Sequence, residues 1–360
     1  DIVAAAATVH ENAVVVFPEL TLSGYPPEDL LLRPSIELRV NQSLDRLCAE
    51  LPATAWVVVG YPRKEGDALY NVAGVIHGNV LVAEYCKQSL PNYQVFDEKR
   101  YFQPGSQPCV LDIEGVQVGL SICEDIWDIG PTADAAEAGA EILLNLNSSP
   151  YHRGKRDERW QLVAERARQS AFPIVYVNQV GGQDELVFDG GSFAVTAEGN
   201  VAAAAPNFEE GEYWLAYDSE NDGKPFTGLA LSEPLDEMAA TWQALVLGVR
   251  DYVNKNRFKG VVLGLSGGVD SALTLAVAVD ALGPDRVEAV MMPFRYTAQM
   301  SVEDAAEQSD TLGVSHKVIS IEPIYEAFMA SLAEEFAGTE VDTTEENLQA
   351  RCRGVLLMSI

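Results

Sequence analysis

Histidine is scarce in this 360-residue sequence. His10, His77, His152 and His316 are the only four, and none falls in the motifs described below, so a cysteine–histidine nucleophile pair finds little support. The five cysteines (Cys48, Cys86, Cys109, Cys123 and Cys352) include no C-x-x-C pair. That pattern offers neither a zinc site nor a disulfide framework and fits a reducing compartment. No run of about 18 apolar residues is present and no signal-peptide pattern is visible, so a cytoplasmic protein with no membrane partner is expected. Basic charge is also short: 24 Lys and Arg against 54 Asp and Glu give a net charge of −30. A field of that sign repels duplex nucleic acid, so no nucleic-acid partner is expected, while small anions can still bind at local N–H or basic sites. Internal repeats and low-complexity tracts are absent.

What is present suits about two domains by length. Short apolar runs at Val14–Phe17, Trp56–Gly60, Val116–Ile122, Ile142–Leu146 and Ile174–Asn178 read as buried strands. Two hairpins are expected, one turning at His77–Gly78–Asn79 and one at Glu198–Gly199–Asn200. Strands and hairpins mixed with helices predict an α/β sandwich rather than a single doubly wound sheet. The polar stretch "SENDGKP", Ser219–Pro225, is the best linker candidate. The expected division is a first domain over 1–222, a linker over 223–235 and a second domain over 236–360. In the second, a helix near Asp236–Asn254 precedes strands at Val261–Leu265, Val287–Met292 and Ser315–Ile319, with a helix near Val302–Leu312. That order predicts parallel pairing in a doubly wound sheet. Three strands are few for such a sheet, and the second domain is expected to be C-terminally incomplete.

Four polar motifs each follow an apolar run: "VVVFPEL" with Glu19, "VLVAEYCKQSLPNY" with Lys87, "VGLSICEDIWD" with Cys123, and "ILLNLNSSP" with Ser148 and Ser149. If the runs belong to one core, the motifs are expected along one sheet rim, where α/β proteins place chemistry. A thiol is a strong nucleophile once deprotonated, a carboxylate can take its proton, and an ammonium beside it lowers the thiol pKa and stabilises negative charge on an attacked carbonyl. Taken singly, each residue fits a duller role: a buried Cys, a loop Glu, a solvated Lys.

Together the blocks "FPELTLSGYPPEDLL", "KQSLPNYQVFDEKRYFQPG", "ICEDIW" and "NSSPYHRGKRDER" resemble the nitrilase, or carbon–nitrogen hydrolase, superfamily. More closely they resemble the glutaminase domains of glutamine-dependent NAD synthetases, over about Val14 to Ala197. The resemblance implies a nitrilase-like αββα sandwich with Glu19 as general base, Lys87 as the charge-stabilising residue and Cys123 as a nucleophile that forms a thioester with glutamine. It implies Tyr93, Ser149 and Lys155 as glutamine-binding residues and Glu98 as a supporting acid. Gln94 departs from the pattern, since family members often carry Gly after "LPNY".

The second motif is "VVLGLSGGVDSALTLAV", Val261 to Val277: strand, glycine-rich turn, helix. Such a loop turns its N–H groups inward beneath a helix N-terminus and suits phosphate, yet it lacks the lysine of a Walker A loop. A plain structural turn, with Asp270 as a helix-capping residue, is the competing reading. "SGGVDS" resembles the pyrophosphatase loop of N-type ATP pyrophosphatases, which fold like adenine nucleotide alpha hydrolases. The resemblance implies ATP binding through Gly264, Leu265, Ser266, Gly267, Gly268, Val269, Asp270 and Ser271, with Asp270 associated with Mg2+. Downstream, "RYTAQMSVEDA" and "DTTEENLQARCRG" resemble the NAD synthetase family. There Asn347 matches a deamido-NAD contact, Arg351 and Arg353 match in spacing, although helix-surface ion pairs would explain them equally, and Phe294 replaces the usual Ser before "RYT".

The resemblance thus implies a ligase taking deamido-NAD, ATP and glutamine, working as a homo-oligomer and passing ammonia along a sheltered path. Two other readings stay open. One is another amidotransferase with the same loop, such as a GMP or asparagine synthetase. The other is a nitrilase-like hydrolase carrying a non-catalytic nucleotide-sensing domain. A purely structural protein is hard to reconcile with the paired motifs.

Overall fold

The computed structural model describes residues 2–7, 13–221, 224–338, 340 and 342–360; His10, Asp222 and Gly223 of the sequence reading lie outside the described residues. The chain divides into two compact units, Asp1–Ala244 and Leu245–Ile360.

The first unit has a four-stranded sheet of β1 (Val14–Val16), β2 (Trp56–Glu65), β3 (Ala68–His77) and β4 (Val80–Cys86), in that order. β1 and β2 are parallel and the others antiparallel. A six-stranded sheet uses β5 (Val110–Ile113), β6 (Val116–Ile122), β7 (Ile142–Asn147), β8 (Ile174–Asn178), β11 (Phe193–Val195) and β12 (Val201–Ala204), in the order β12-β11-β8-β7-β6-β5. Between β8 and β11 the chain makes a separate hairpin, β9 (Val180–Gln183) with β10 (Leu186–Asp189). The sheets meet face to face. Val58, Ala73, Val75 and Tyr85 of one pack with Leu120, Ile122, Leu144, Leu146 and Ala203 of the other.

Helices close both outer faces. α1 (Ile2–Ala7) and α2 (Pro34–Glu50) cover the first sheet, where Val40 and Leu47, one face of α2, meet Val57, Val59 and Tyr61. α3 (Ile129–Glu137) and α4 (Lys155–Ser170) cover the second. Strands buried on both faces explain the unbroken apolar runs. The order helix, sheet, sheet, helix is the expected αββα sandwich, and both hairpins turn where read, with Gly78, Asn79 and Gly199 at positive φ.

Ser219–Pro225 lies between two short paired strands, β13 (Ala216–Tyr217) and β14 (Phe226–Thr227). α5 (Glu237–Lys255) follows, and the division between units falls inside it.

The second unit is built on β15 (Val261–Gly264), β16 (Val287–Met291) and β17 (Ser315–Val318), all parallel and in that order. α6 (Val269–Leu282) and α7 (Gln299–Leu312) pack on one face through Leu275, Ala278 and Ala305. α8 (Glu322–Ser331) and α9 (Thr343–Met358) pack on the other, where Val290, Met292, Phe294, Ile321 and Cys352 are buried together. Helices on both faces of a parallel sheet give the doubly wound arrangement. No helix among the described residues is long and apolar enough to cross a membrane.

Candidate active site

The four motifs of the first unit converge, but on the rims of two sheets rather than one. Glu19 follows β1 and Lys87 follows β4 of the four-stranded sheet, whereas Cys123 follows β6 and Ser148 follows β7 of the six-stranded sheet. The single-rim expectation failed because adjacency of β1 to β2 and of β6 to β7 is set by pairing that an isolated apolar run does not encode.

Lys87 is the hub and is fully buried. Its Nζ donates to Glu19 Oε1 at 2.7 Å and to Glu98 Oε1 at 2.8 Å. Asn71 Nδ2 also donates to Glu19 Oε1, at 2.7 Å, and the Ser148 N–H donates to Glu19 Oε2 at 3.0 Å. Three donors therefore fix the orientation of Glu19. Its loop lies tightly on β2, since a Cβ at Gly60 would sit 2.4 Å from the Leu20 nitrogen. The Tyr25 hydroxyl donates to Glu98 Oε1 at 3.1 Å. Glu98 Oε2 is buried with no hydrogen-bond partner among the described residues.

Desolvation pushes the Lys87 ammonium down, but Glu19 and Glu98 together outweigh it and hold its pKa well above the ordinary lysine value. Glu98 is pushed up to about 7, chiefly by burial, with Glu19 adding to the rise and Lys87 opposing it.

Cys123 opens a 3-10 turn, Cys123–Ile126, directly after β6 and has φ of 45°. A non-glycine residue there is strained, and such strain concentrates where a side chain must be aimed. The thiol is buried. Its pKa lies well above the free value because burial and Glu19 raise it by more than Lys87 lowers it. The lowering by Lys87 expected from the sequence is present but is outweighed. In the substrate-free site the thiol keeps its proton, and a base must remove it as it attacks.

Asp125, two residues on, ties the Lys87 and Cys123 segments together. Its Oδ1 accepts the N–H groups of Gln88 (3.0 Å) and Ser89 (2.7 Å), and its Oδ2 accepts those of Ile122 (3.0 Å) and the Tyr85 hydroxyl (2.8 Å). Sequence reasoning passed over Asp125, although it stands inside the "ICEDIW" block. It also passed over Asn71 and Tyr25, which carry no local signal.

The residues read as glutamine contacts each have defined neighbours. The Tyr93 hydroxyl donates to both Glu124 oxygens at 3.0 Å, beside Cys123 in sequence. Gln94 has φ of 52°, the left-handed region that favours glycine, which accounts physically for its standing out. Lys155 begins α4 with its Nζ 4.0 Å from the centroid of the Trp127 ring, and burial lowers its pKa. Ser149 is buried, and its Oγ accepts from Arg159 Nε at 3.1 Å.

In the second unit the loop after β15 is open. Ser266, Gly268, Val269 and Asp270 are exposed, and Leu265 is buried in the core. Internal bonds shape it: Ser266 and Ser271 Oγ atoms are 3.0 Å apart, the Gly268 N–H donates to Ser266 Oγ, and Ser271 Oγ donates to the Gly268 carbonyl. Gly267 has φ of 79°, and a Cβ there would lie 2.2 Å from the Ser301 carbonyl oxygen, so only glycine fits. α6 starts at the Gly268 N-cap without any side-chain cap, so Asp270 does not take the capping role. The first-turn N–H groups and an exposed carboxylate are a set that suits a phosphate chain carrying Mg2+, a cation commonly held by one or two carboxylates plus phosphate oxygens. No cluster of three or more metal-ligating side chains occurs among the described residues. Asn347 and Arg351 are exposed on α9, and Arg353 Nε donates to the Met292 carbonyl at 3.2 Å. Asn347 makes no hydrogen bond to the loop among the described residues. Phe294 fills the core beside Tyr325, ring centroids 4.9 Å apart.

The model described as carbon–nitrogen hydrolase matches residues 1–218. The chain belongs to the carbon–nitrogen hydrolase family. Residues 241–360 match the NAD synthase model. A glutamine-dependent NAD(+) synthetase from Xanthomonas campestris pv. campestris is 48% identical over 99% of this chain and 65% of its own length. A solved glutamine-dependent NAD+ synthetase from Acinetobacter baumannii, in complex with ADP, is 46% identical with a TM-score of 0.92, covering 96% of this chain and 65% of that one. A variant of the amidase from Nesterenkonia sp. AN1 shows the acetamide moiety of fluoroacetamide added covalently at its active-site cysteine. It is 25% identical with a TM-score of 0.51, over 57% of this chain and 76% of that one. The chain thus spans 65% of the length of the curated relative.

Proposed function

We propose that this chain carries the glutaminase unit and the ATP-binding part of the synthetase unit of a glutamine-dependent NAD synthetase. Deamido-NAD, ATP, glutamine and water would give NAD, AMP, pyrophosphate and glutamate. The observation that carries the reading is the buried Lys87 bridging Glu19 and Glu98 beside Cys123, on a chain that also holds a lysine-free phosphate loop.

In the first step Glu19 takes the Cys123 thiol proton as Sγ bonds to the amide carbon of glutamine. Lys87 stabilises the negative charge that develops on the amide oxygen. The proton on Glu19 passes to the amide nitrogen, the carbon–nitrogen bond breaks, and ammonia leaves a thioester. Water then attacks the thioester with Glu19 as base, releasing glutamate and returning the thiol. Tyr93, Ser149 and Lys155 would orient glutamine. The ADP complex of the A. baumannii relative and the covalent adduct at the Nesterenkonia amidase's cysteine support the two halves of this reading.

In the second unit the 264–271 loop would hold the ATP phosphates while a deamido-NAD carboxylate oxygen attacks the α-phosphorus and pyrophosphate leaves. Ammonia then displaces AMP to form the amide. A γ-phosphate-transferring loop employs a lysine, and this loop would act at the α-phosphate without one. Mg2+ would neutralise phosphate charge, with Asp270 as its protein ligand; Asn347 would contact deamido-NAD. A cytoplasmic homo-oligomer fits this reading.

The test offers the full chain ATP and amide-nitrogen-15 glutamine with deamido-NAD, xanthosine monophosphate or aspartate. The reading expects pyrophosphate release and labelled amide only with deamido-NAD. Pyrophosphate release with either other acceptor, or none with all three, contradicts it.

A further inference from the structure

Against the turn after β7 lies a buried cation that the mechanism above does not use. Arg159, on the inner face of α4, is only 3% exposed. Its NH1 donates to both Asp189 oxygens, at 2.8 and 3.0 Å. Its NH2 donates to the carbonyls of Ser149 (2.8 Å) and Pro150 (3.0 Å), and its Nε to Ser149 Oγ (3.1 Å). All three guanidinium nitrogens are thus engaged. Asp189, at the end of β10, is clamped in turn by Asn207 Nδ2 at 3.2 Å. The Ser149 N–H is taken by Asn178 Oδ1 at 2.9 Å.

We infer that Arg159, braced by Asp189, is a positioning residue that holds the Ser149 hydroxyl in place. Nε occupies one lone pair of Oγ, and the second lone pair and the hydroxyl proton remain for other partners. A Ser149 so held presents a fixed hydroxyl to a polar group of the substrate. This rests on the reading of the first unit as a glutaminase. The other group beside Ser149 is the buried Tyr176, whose hydroxyl is within reach of the Ser149 hydroxyl.

Lysine cannot replace Arg159, since one ammonium has three donors and no planar fork. The experiment measures glutamate release from glutamine by the full chain carrying Arg159→Lys, Ser149→Ala or both. Each single change is expected to raise KM for glutamine roughly tenfold, equivalent to about 1.4 kcal/mol, with kcat little changed. The double variant is expected to be no worse than the weaker single, because both remove the same contact. Ser149→Thr, which keeps the hydroxyl, should recover most of the affinity, and Tyr176→Phe should leave KM within about twofold. If Arg159→Lys fails to fold, Asp189→Asn reads the same bracing and is expected to raise KM in the same sense. Additive effects in the double variant, a loss in kcat with KM unchanged, or a large KM effect of Tyr176→Phe overturn the inference alone. No glutamate release by the parent chain overturns the glutaminase reading, and the inference with it.

Discussion

The Cys123 site and the 264–271 loop solve opposite problems. Around Cys123 the reactive groups are charged side chains, out of water and bonded to one another before any substrate arrives. The loop is exposed, nearly without charge, and shaped by hydroxyls and glycine backbone. The first must keep a thiol protonated until a substrate is in place, and burial with two acids does that. In the proposed function the second accepts a polyanion in a protein of net charge −30, and backbone N–H groups at a helix start attract phosphate without depending on overall charge. Side-chain electrostatics thus controls protonation at one site, and backbone geometry controls access at the other.

Four substitutions press on that contrast. Glu19→Gln removes the proton acceptor while keeping the shape. It should lower kcat for glutamate release by about 10²- to 10⁴-fold and leave pyrophosphate release driven by ammonium intact. A loss of both rates would mean the two chemistries are not separable. Gly267→Ala should do the reverse. The added methyl meets the Ser301 carbonyl, and the left-handed backbone resists it. ATP-dependent pyrophosphate release should fall at least about tenfold while glutamate release persists.

The third concerns pH. Glu98 binds its proton more tightly in the folded state than in an unfolded chain, because its pKa is raised to about 7. Its contribution therefore favours folding at low pH and is lost as pH rises through about 7. Glu98→Gln removes that dependence. The Tm of the parent minus that of the variant should fall between about pH 5 and pH 8, and a gap that widens would refute the assignment. The smallest effect is expected from Gln94→Gly. Relief of the left-handed backbone should raise stability by up to about 1 kcal/mol in urea unfolding, and a clear loss would mean the Gln94 side chain has a role of its own.

The strands, both tight turns and the placement of reactive residues at strand ends were legible because buried strands read as apolar runs and tight turns need Gly or Asn. The family blocks then implied roles for Glu19, Lys87, Cys123 and Glu98 that the residues alone left open. What the sequence hid is non-local. Asn71 meets Glu19, Tyr25 meets Glu98, and Arg159 meets Asp189 only because separate elements are brought together. The β9–β10 hairpin escaped because Gly181 and Gly182 interrupt its apolar alternation. The net direction of the Cys123 shift was hidden for the same reason. A sequence shows that a lysine is available, but only packing shows that desolvation and a carboxylate outweigh it.

The central claim is that one chain divides ammonia release from amide formation. Cys123→Ala tests it most directly, with NAD formation from deamido-NAD and ATP followed first with glutamine and then with ammonium as the nitrogen source. The account predicts that the glutamine-driven rate falls to background while the ammonium-driven rate matches the parent chain. Equal loss of both in a folded protein, or survival of the glutamine-driven rate, would contradict it.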